Sequence, residues 1–121
     1  MEKEFIPYEQ ALALKELGFD EPCLDFYDNN KELFYNHENK EKIHIGDSVK
    51  APLYQQAFRW FREKYNLDTS IKRLRFTDKY EFHILDINTE NHNHIGISHF
   101  ISHEEAELEC LKKLIEIVKS K

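Results

Sequence analysis

Apolar and polar positions along this 121-residue chain change period several times, and each change predicts an element. In "IPYEQALALKELGF" the apolar residues recur at helical spacing, so that Gln10, Ala13, Leu14 and Leu17 share one face at about 100° per residue. Pro7 stands at or beside the first helical position, Glu9 in the first turn, and Gly18 where a left-handed C-cap would fall. The period then shortens to two. In "CLDFYDNNKELFYN" Leu24 and Phe26 alternate with Asp25, the Asp28-Asn29-Asn30 tract tolerates the positive φ of a tight turn, and Leu33 to Tyr35 return, which predicts a hairpin.

Residues 36–50 are polar, apart from a short strand-like run at "KIHIG". Helical spacing resumes in "APLYQQAFRWFREKYNL". There Leu53, Tyr54, Ala57, Phe58, Trp60, Phe61 and Tyr65 form a wide apolar arc, with Gln55, Arg59, Arg62 and Glu63 outside it. This helix is the expected centre of the core. A second hairpin follows: "SIKRLRF", the turn-like "TDK" and "YEFHILDIN", with Leu74, Phe76, Tyr80, Phe82 and Ile84 on the buried side, and "HIGISHFI" adds an edge strand. The last helix has the clearest start. Ser102 and Glu105 make a capping-box pattern, and Lys112, Lys113 and Lys119 lie toward its C-terminus. Its apolar arc holds Cys110, Leu111, Leu114, Ile115, Ile117 and Val118.

The order is helix, hairpin, helix, meander, helix. It predicts an α+β class, with three helices packed on one face of a mainly antiparallel sheet in a single domain over residues 1–121. Sixteen aromatic residues and 40% apolar content are enough to fill a core without disulfides or metals, and three Gly and three Pro leave little room for linkers. No window approaches the ~18 apolar residues of a membrane span, and "MEKEFIPYEQ" lacks a secretory hydrophobic run, so the expected setting is cytoplasmic, without a membrane partner. Cys23 and Cys110 fit neither a CxxC nor a zinc-ribbon spacing and read as two reduced thiols.

Charge changes this picture locally. The net −6 argues against broad nonspecific nucleic-acid binding. Yet residues 1–32 carry nine acidic side chains against three lysines, whereas residues 59–79 carry seven basic ones against three acidic. Within that basic stretch Arg73 and Arg75 alternate on one strand, and with helix-borne Arg59 and Arg62 they form a candidate patch for a phosphate-bearing ligand or an acidic partner surface.

Four of the seven histidines fall in "NHNHIGISHFISHEE". On a strand His92 and His94 would share a face, a spacing that supplies two imidazole ligands to zinc or another transition metal. A third ligand would have to come through the fold from His44, His83, Asp86 or Glu90, and the simpler reading is a polar loop joined to an edge strand. Since Ser102 caps the last helix, His99 lies outside it and the four-residue spacing to His103 loses its helical meaning. There is no GxSxG elbow, and three scattered glycines build neither a Walker A loop nor a GxGxxG turn. No cofactor is called for. Glu107 sits within the apolar arc of the last helix and needs a donor, with Arg, Lys or Tyr the expected partner types; Gln10 occupies a comparable position on the first helix.

Three stretches together, "FIPYEQALALKELGFDEPC", "APLYQQAFRWFREKYNL" and "EEAELECLKKLIEIV", resemble a group of small proteins encoded by tailed bacteriophages and prophages of gut Bacteroidetes. The resemblance covers roughly two fifths of the chain, and the group has no established activity, so it carries over no catalytic residue. It implies a phage or prophage origin and a cytoplasmic setting. The leading expectation is thus a non-enzymatic accessory protein that binds a host or phage macromolecule, a protein before a nucleic acid, in a role that includes inhibition of host defence. The alternatives are a nucleotide-like small-ligand binder using the same arginines, and a metal-dependent enzyme centred on His92 and His94. Monomer and homodimer both remain open, because the aromatic arc of the second helix could be covered by its own sheet or by a second copy.

Overall fold

The computed structural model describes residues 4–23, 25–28, 30–35, 49–88 and 93–120. The class is α+β and the order of helices and hairpins is the one the sequence predicts; the strands divide between two antiparallel sheets of three strands each. These belong to two compact units, residues 1–53 and 54–121.

The first unit contains α1 (Tyr8–Glu16), β1 (Asp25–Tyr27), β2 (Leu33–Tyr35) and β3 (Val49–Ala51), with strand order β2-β1-β3. Pro7 is the N-cap of α1, and its carbonyl accepts from the Ala11 amide at 2.9 Å. At the other end Gly18 has φ 99°, a left-handed conformation that costs little without a Cβ. Two bonds close this end, Gly18 N–H to the Lys15 carbonyl and Phe19 N–H to that of Leu14, while Leu14 and Phe19 are both buried: a Schellman motif with its apolar clasp. The buried stripe of α1 runs through Ala11 and Leu14; Gln10, Ala13 and Leu17 are half-buried on its flank, so the inward face is rotated from the one predicted.

The first hairpin forms, but its phase differs from the prediction. Asp25 and Tyr27 point inward and Phe26 is half-buried, because the Tyr27 hydroxyl donates to the Ile6 carbonyl at 2.6 Å and fixes that face of β1 inward. In the turn, Asp28 Oδ1 accepts from the amides of Asn30 (2.8 Å) and Glu32 (3.0 Å). Among the described residues of the turn the left-handed one is Lys31, φ 64°, whose ammonium lies 5.3 Å from the Tyr8 ring centre. Leu24 and the strand predicted at "KIHIG" lie outside the described residues. β3 is formed by residues 49–51, with Ala51 in the sheet and no part of the second helix. Leu53, assigned by its spacing to the core, is 40% exposed because it precedes the helix and bridges to Phe5.

The second unit contains α2 (Tyr54–Tyr65), β4 (Leu67–Arg73), β5 (Tyr80–Asp86), β6 (Asn93–Phe100) and α3 (His103–Lys119), with strand order β4-β5-β6. Tyr54, Ala57, Phe58, Trp60 and Phe61 are buried as the pattern of α2 requires, and Gln55, Arg59, Arg62 and Glu63 are exposed. Asn66, φ 55°, ends α2 by donating to the Arg62 carbonyl. Phe82 and Ile84 of β5 are buried, and cross-strand pairing places Ile71 and Thr69 of β4 and Ile97 and Ile95 of β6 on the same face. This is the face that α2 and α3 cover. The opposite face carries Glu81, His83 and Leu85 of β5.

At the start of α3, Ser102 Oγ accepts from the Glu105 amide at 3.0 Å. The helix then buries Ala106, Cys110, Leu111, Leu114, Ile115 and Val118. Between β5 and β6 the register shifts, so that Ser98 and His99 together face Glu81; this bulge puts His99 in a left-handed conformation, φ 75°. Phe76 overturns its core assignment. It is 94% exposed with φ 63°, since β4 ends at Arg73 and the chain reverses through Leu74–Lys79, held by the Leu74 N–H to Lys79 carbonyl bond and by Arg73 Nε on the Thr77 carbonyl.

Candidate functional site

The amphipathic pattern of α2 leaves Arg59 and Arg62 outward, three residues apart and so on neighbouring rows of one helix face. Beside that face runs β4. A cavity of about 530 Å³ forms there, lined by Gln55, Phe58, Arg59 and Arg62 of α2, Thr69, Ser70 and Ile71 of β4, and His103 at the first position of α3. Its rim thus offers two guanidinium groups, the Thr69 hydroxyl, an amide and an imidazole above an apolar floor of Phe58 and Ile71, while the Ser70 side chain alternates to the opposite face with His83. Guanidinium forks match the paired oxygens of phosphate and carboxylate, and hydroxyls supply further donors. The start of α3 adds the positive end of its dipole, partly met by Glu104 and Glu105 in its first turn.

His103 is held from two sides. Its Nδ1 lies 3.4 Å from Glu107 Oε1, one helical turn on, and its ring meets the edge of Tyr80 at 5.7 Å and 86°. The sequence places Glu107 in an apolar arc, and its side chain is indeed only 12% exposed; the partner supplied by its own helix is a histidine. Glu107 also bears on Cys110. Burial, with Glu107 adding to it, pushes the Cys110 thiol up to about 12, so it carries no thiolate at neutral pH. Cys23, half-buried, directs its sulfur at the Glu21 carbonyl, 3.5 Å away; both cysteines are free thiols. Gln10 of α1 is half-buried and belongs to the other unit.

The basic patch read from the sequence divides. Arg59 and Arg62 line the α2–β4 cavity, whereas Arg73 and Arg75 line an open hollow around the hairpin turn with Leu74, Phe76, Thr77 and Asp78. Arg73 is the last residue of β4 and Arg75 lies in the turn, so the strand alternation that would have aligned them stops between the two. Arg75 instead sits over the Phe76 ring at 5.3 Å. Thr69, Ser70 and His103 join the arginines without having been singled out in the sequence. A small hydroxyl such as that of Thr69 carries no pattern of its own on a strand, and only the packing of α2 on β4 reveals it.

Of the candidate metal pair, His92 lies outside the described residues. His94, on β6, faces His83 of β5, one of the four residues the sequence offered as a further ligand: His83 Nδ1 and His94 Nε2 are 2.9 Å apart. Among the described residues no group of three or more His, Cys, Asp or Glu is arranged to hold a metal. None of the helices among them is long and apolar enough to cross a membrane. The chain matches no protein-family model, no curated protein and no solved structure.

Proposed function

We propose that this chain is a non-enzymatic binding protein whose α2–β4 cavity receives an anionic group, phosphoryl or carboxylate, presented by a protein partner. The observation that carries the reading is the convergence of Arg59, Arg62, Thr69 and His103 on one concave site. Two arginines over an apolar floor favour a charged planar or tetrahedral group whose carrier extends beyond the cavity. The resemblance to phage-encoded proteins supports a partner in a phage or its bacterial host, and stoichiometric inhibition of a host-defence protein in the cytoplasm fits such a role.

The test uses a phosphoserine peptide and inorganic phosphate as probes, with binding read by NMR at the Arg59 and Arg62 side-chain Nε–H groups and the Ser70 amide. Saturable shifts at these groups, lost in the folded double variant Arg59→Ser/Arg62→Ser, support the reading. Undiminished binding by that variant, or none by the wild type, rejects it.

A second reading, a free nucleotide as ligand, draws on the cavity volume, which lies within the roughly 300–1,000 Å³ of small-molecule sites. It predicts that a nucleoside triphosphate at 100 times its Kd stabilises the fold by about 2.7 kcal/mol. A phosphoserine peptide would then bind no better than inorganic phosphate.

A further inference from the structure

On the sheet face opposite the two helices, β5 and β6 bring two imidazoles together in a way the proposed anion site does not use. His83 pairs with Gly96 across the strands, and His94 pairs with Leu85. The ring nitrogens His83 Nδ1 and His94 Nε2 are 2.9 Å apart, the ring centres 5.0 Å apart, and the planes differ by 13°. With so short a nitrogen separation, that centre distance means the rings meet edge to edge in nearly one plane, and do not overlap as a face-to-face stack. Their nitrogen lone-pair positions therefore face each other.

Two further features hold this arrangement. The other nitrogen of His83, Nε2, lies 3.2 Å from Glu81 Oε1. A carboxylate there keeps the proton on Nε2 and leaves Nδ1 as the bare nitrogen, so in the uncharged pair the shared proton belongs to His94 Nε2. Gly96 supplies the space: a Cβ at that position would lie 3.2 Å from His83 Nδ1 and 3.4 Å from His94 Cε1. What glycine provides here is room for the neighbouring rings, since Gly96 is not among the residues with positive φ and a Cβ would press on both imidazoles.

We infer that His83 Nδ1 and His94 Nε2 form a two-nitrogen site for a late first-row divalent metal ion, with Glu81 orienting His83 through its other nitrogen. Carboxylate, imidazole and metal in that order are the usual support of a metal-bound histidine. Two nitrogens at about 2.05 Å from one ion and at right angles stand about 2.9 Å apart, so an ion can be taken up with the two nitrogens kept near the separation they have in the free protein. To bind, each ring tilts until its lone pair meets the ion on the solvent side, where His94 is exposed. The proton on His94 Nε2 moves through water to Nδ1, so the imidazole stays neutral and the ion takes the proton's place. Water or a partner's side chain fills the other coordination positions.

The experiment is titration of the untagged full chain with Ni2+ at pH 7.5 by calorimetry. The expected result is a site abolished by His83→Ala and by His94→Ala, and retained in His103→Ala. Glu81→Gln, which keeps the hydrogen bond but removes its charge, weakens the site about ten- to a hundred-fold. Gly96→Ala, a change that leaves both ligands in the chain, weakens it by pressing a Cβ on the His83 ring; circular dichroism confirms that each variant is folded. In the free protein, long-range proton–nitrogen correlation spectra show the proton of His83 on Nε2, and with Zn2+ as a diamagnetic probe the coordinated nitrogens are Nδ1 of His83 and Nε2 of His94. Absence of Ni2+ binding, or binding that persists undiminished in folded His83→Ala or His94→Ala, overturns the inference.

Discussion

Cys110 gives the fold a built-in alkaline weakness whose size follows from its burial. The thiol is fully buried on the apolar face of α3, beside Glu107, and is pushed from an ordinary 9.0 up to about 12. Below pH 9 both folded and unfolded chains hold this proton, so the group leaves stability unchanged. Above 9 the unfolded chain releases it while the folded chain keeps it, and each further pH unit favours unfolding by a factor of about ten until the folded value is reached. At pH 10 that amounts to about 1 kcal/mol, and the ceiling above pH 12 is roughly 4 kcal/mol. The perturbation is Cys110→Ala, and the assay is urea unfolding at pH 7.5 and pH 10. At pH 7.5 the variant is less stable by about 1 kcal/mol or more, because the lost sulfur leaves a small void. Between the two pH values the wild type loses about 1 kcal/mol more than the variant, since every other titrating group is common to both. Equal losses would refute the reasoning and return the buried thiol to an ordinary value.

Other consequences concern single side chains. Removing the Ser102 hydroxyl with Ser102→Ala orphans the Glu105 amide and costs about 1 kcal/mol in chemical denaturation. Phe61→Ala, at a fully buried position of α2, costs about 3–5 kcal/mol, whereas Phe76→Ser, at the exposed hairpin turn, changes stability by about 0.5 kcal/mol or less. Tyr27→Phe removes the donor to the buried Ile6 carbonyl and costs about 1–3 kcal/mol, read by the same denaturation midpoint.

The elements that are legible in the sequence carry local signals. The Gly18 cap, the Ser102 cap and the apolar arcs of α2 and α3 each rest on residues within a few turns of one another, and the structure places them as the spacing predicts, apart from the exposed Leu53 and the half-buried Tyr65 and Ile117. The alternation of β5 put Phe82 and Ile84 inside for the same reason. The structure departs from the sequence pattern where the chain stops being periodic. Phe76 looked like one more strand residue, because nothing in "RLRFTDK" says that the strand ends at Arg73. Asp25 looked like the polar side of its strand, yet Tyr27 and its bond to Ile6 decide the phase across 21 residues.

The candidate site divides in the same way. Arg59 and Arg62 were legible as outward-facing charges on a helix, and Glu107 as a carboxylate that needs a partner. Their neighbours Thr69, Ser70 and His103 come from two other elements and are gathered only by tertiary packing. Likewise the histidine spacing drew attention to His94 and to the possibility of help from His83, but the 2.9 Å approach depends on strand register and on Gly96 lying opposite.

The most direct test of the central claim is an NMR titration of the wild type and of Arg59→Ser/Arg62→Ser with a phosphoserine peptide. The account predicts saturable shifts centred on Arg59, Arg62 and Ser70 in the wild type, and none in a double variant whose spectrum otherwise remains that of the folded protein. Equal binding by both proteins, or shifts centred on Arg73 and Arg75 at the hairpin turn, would contradict it.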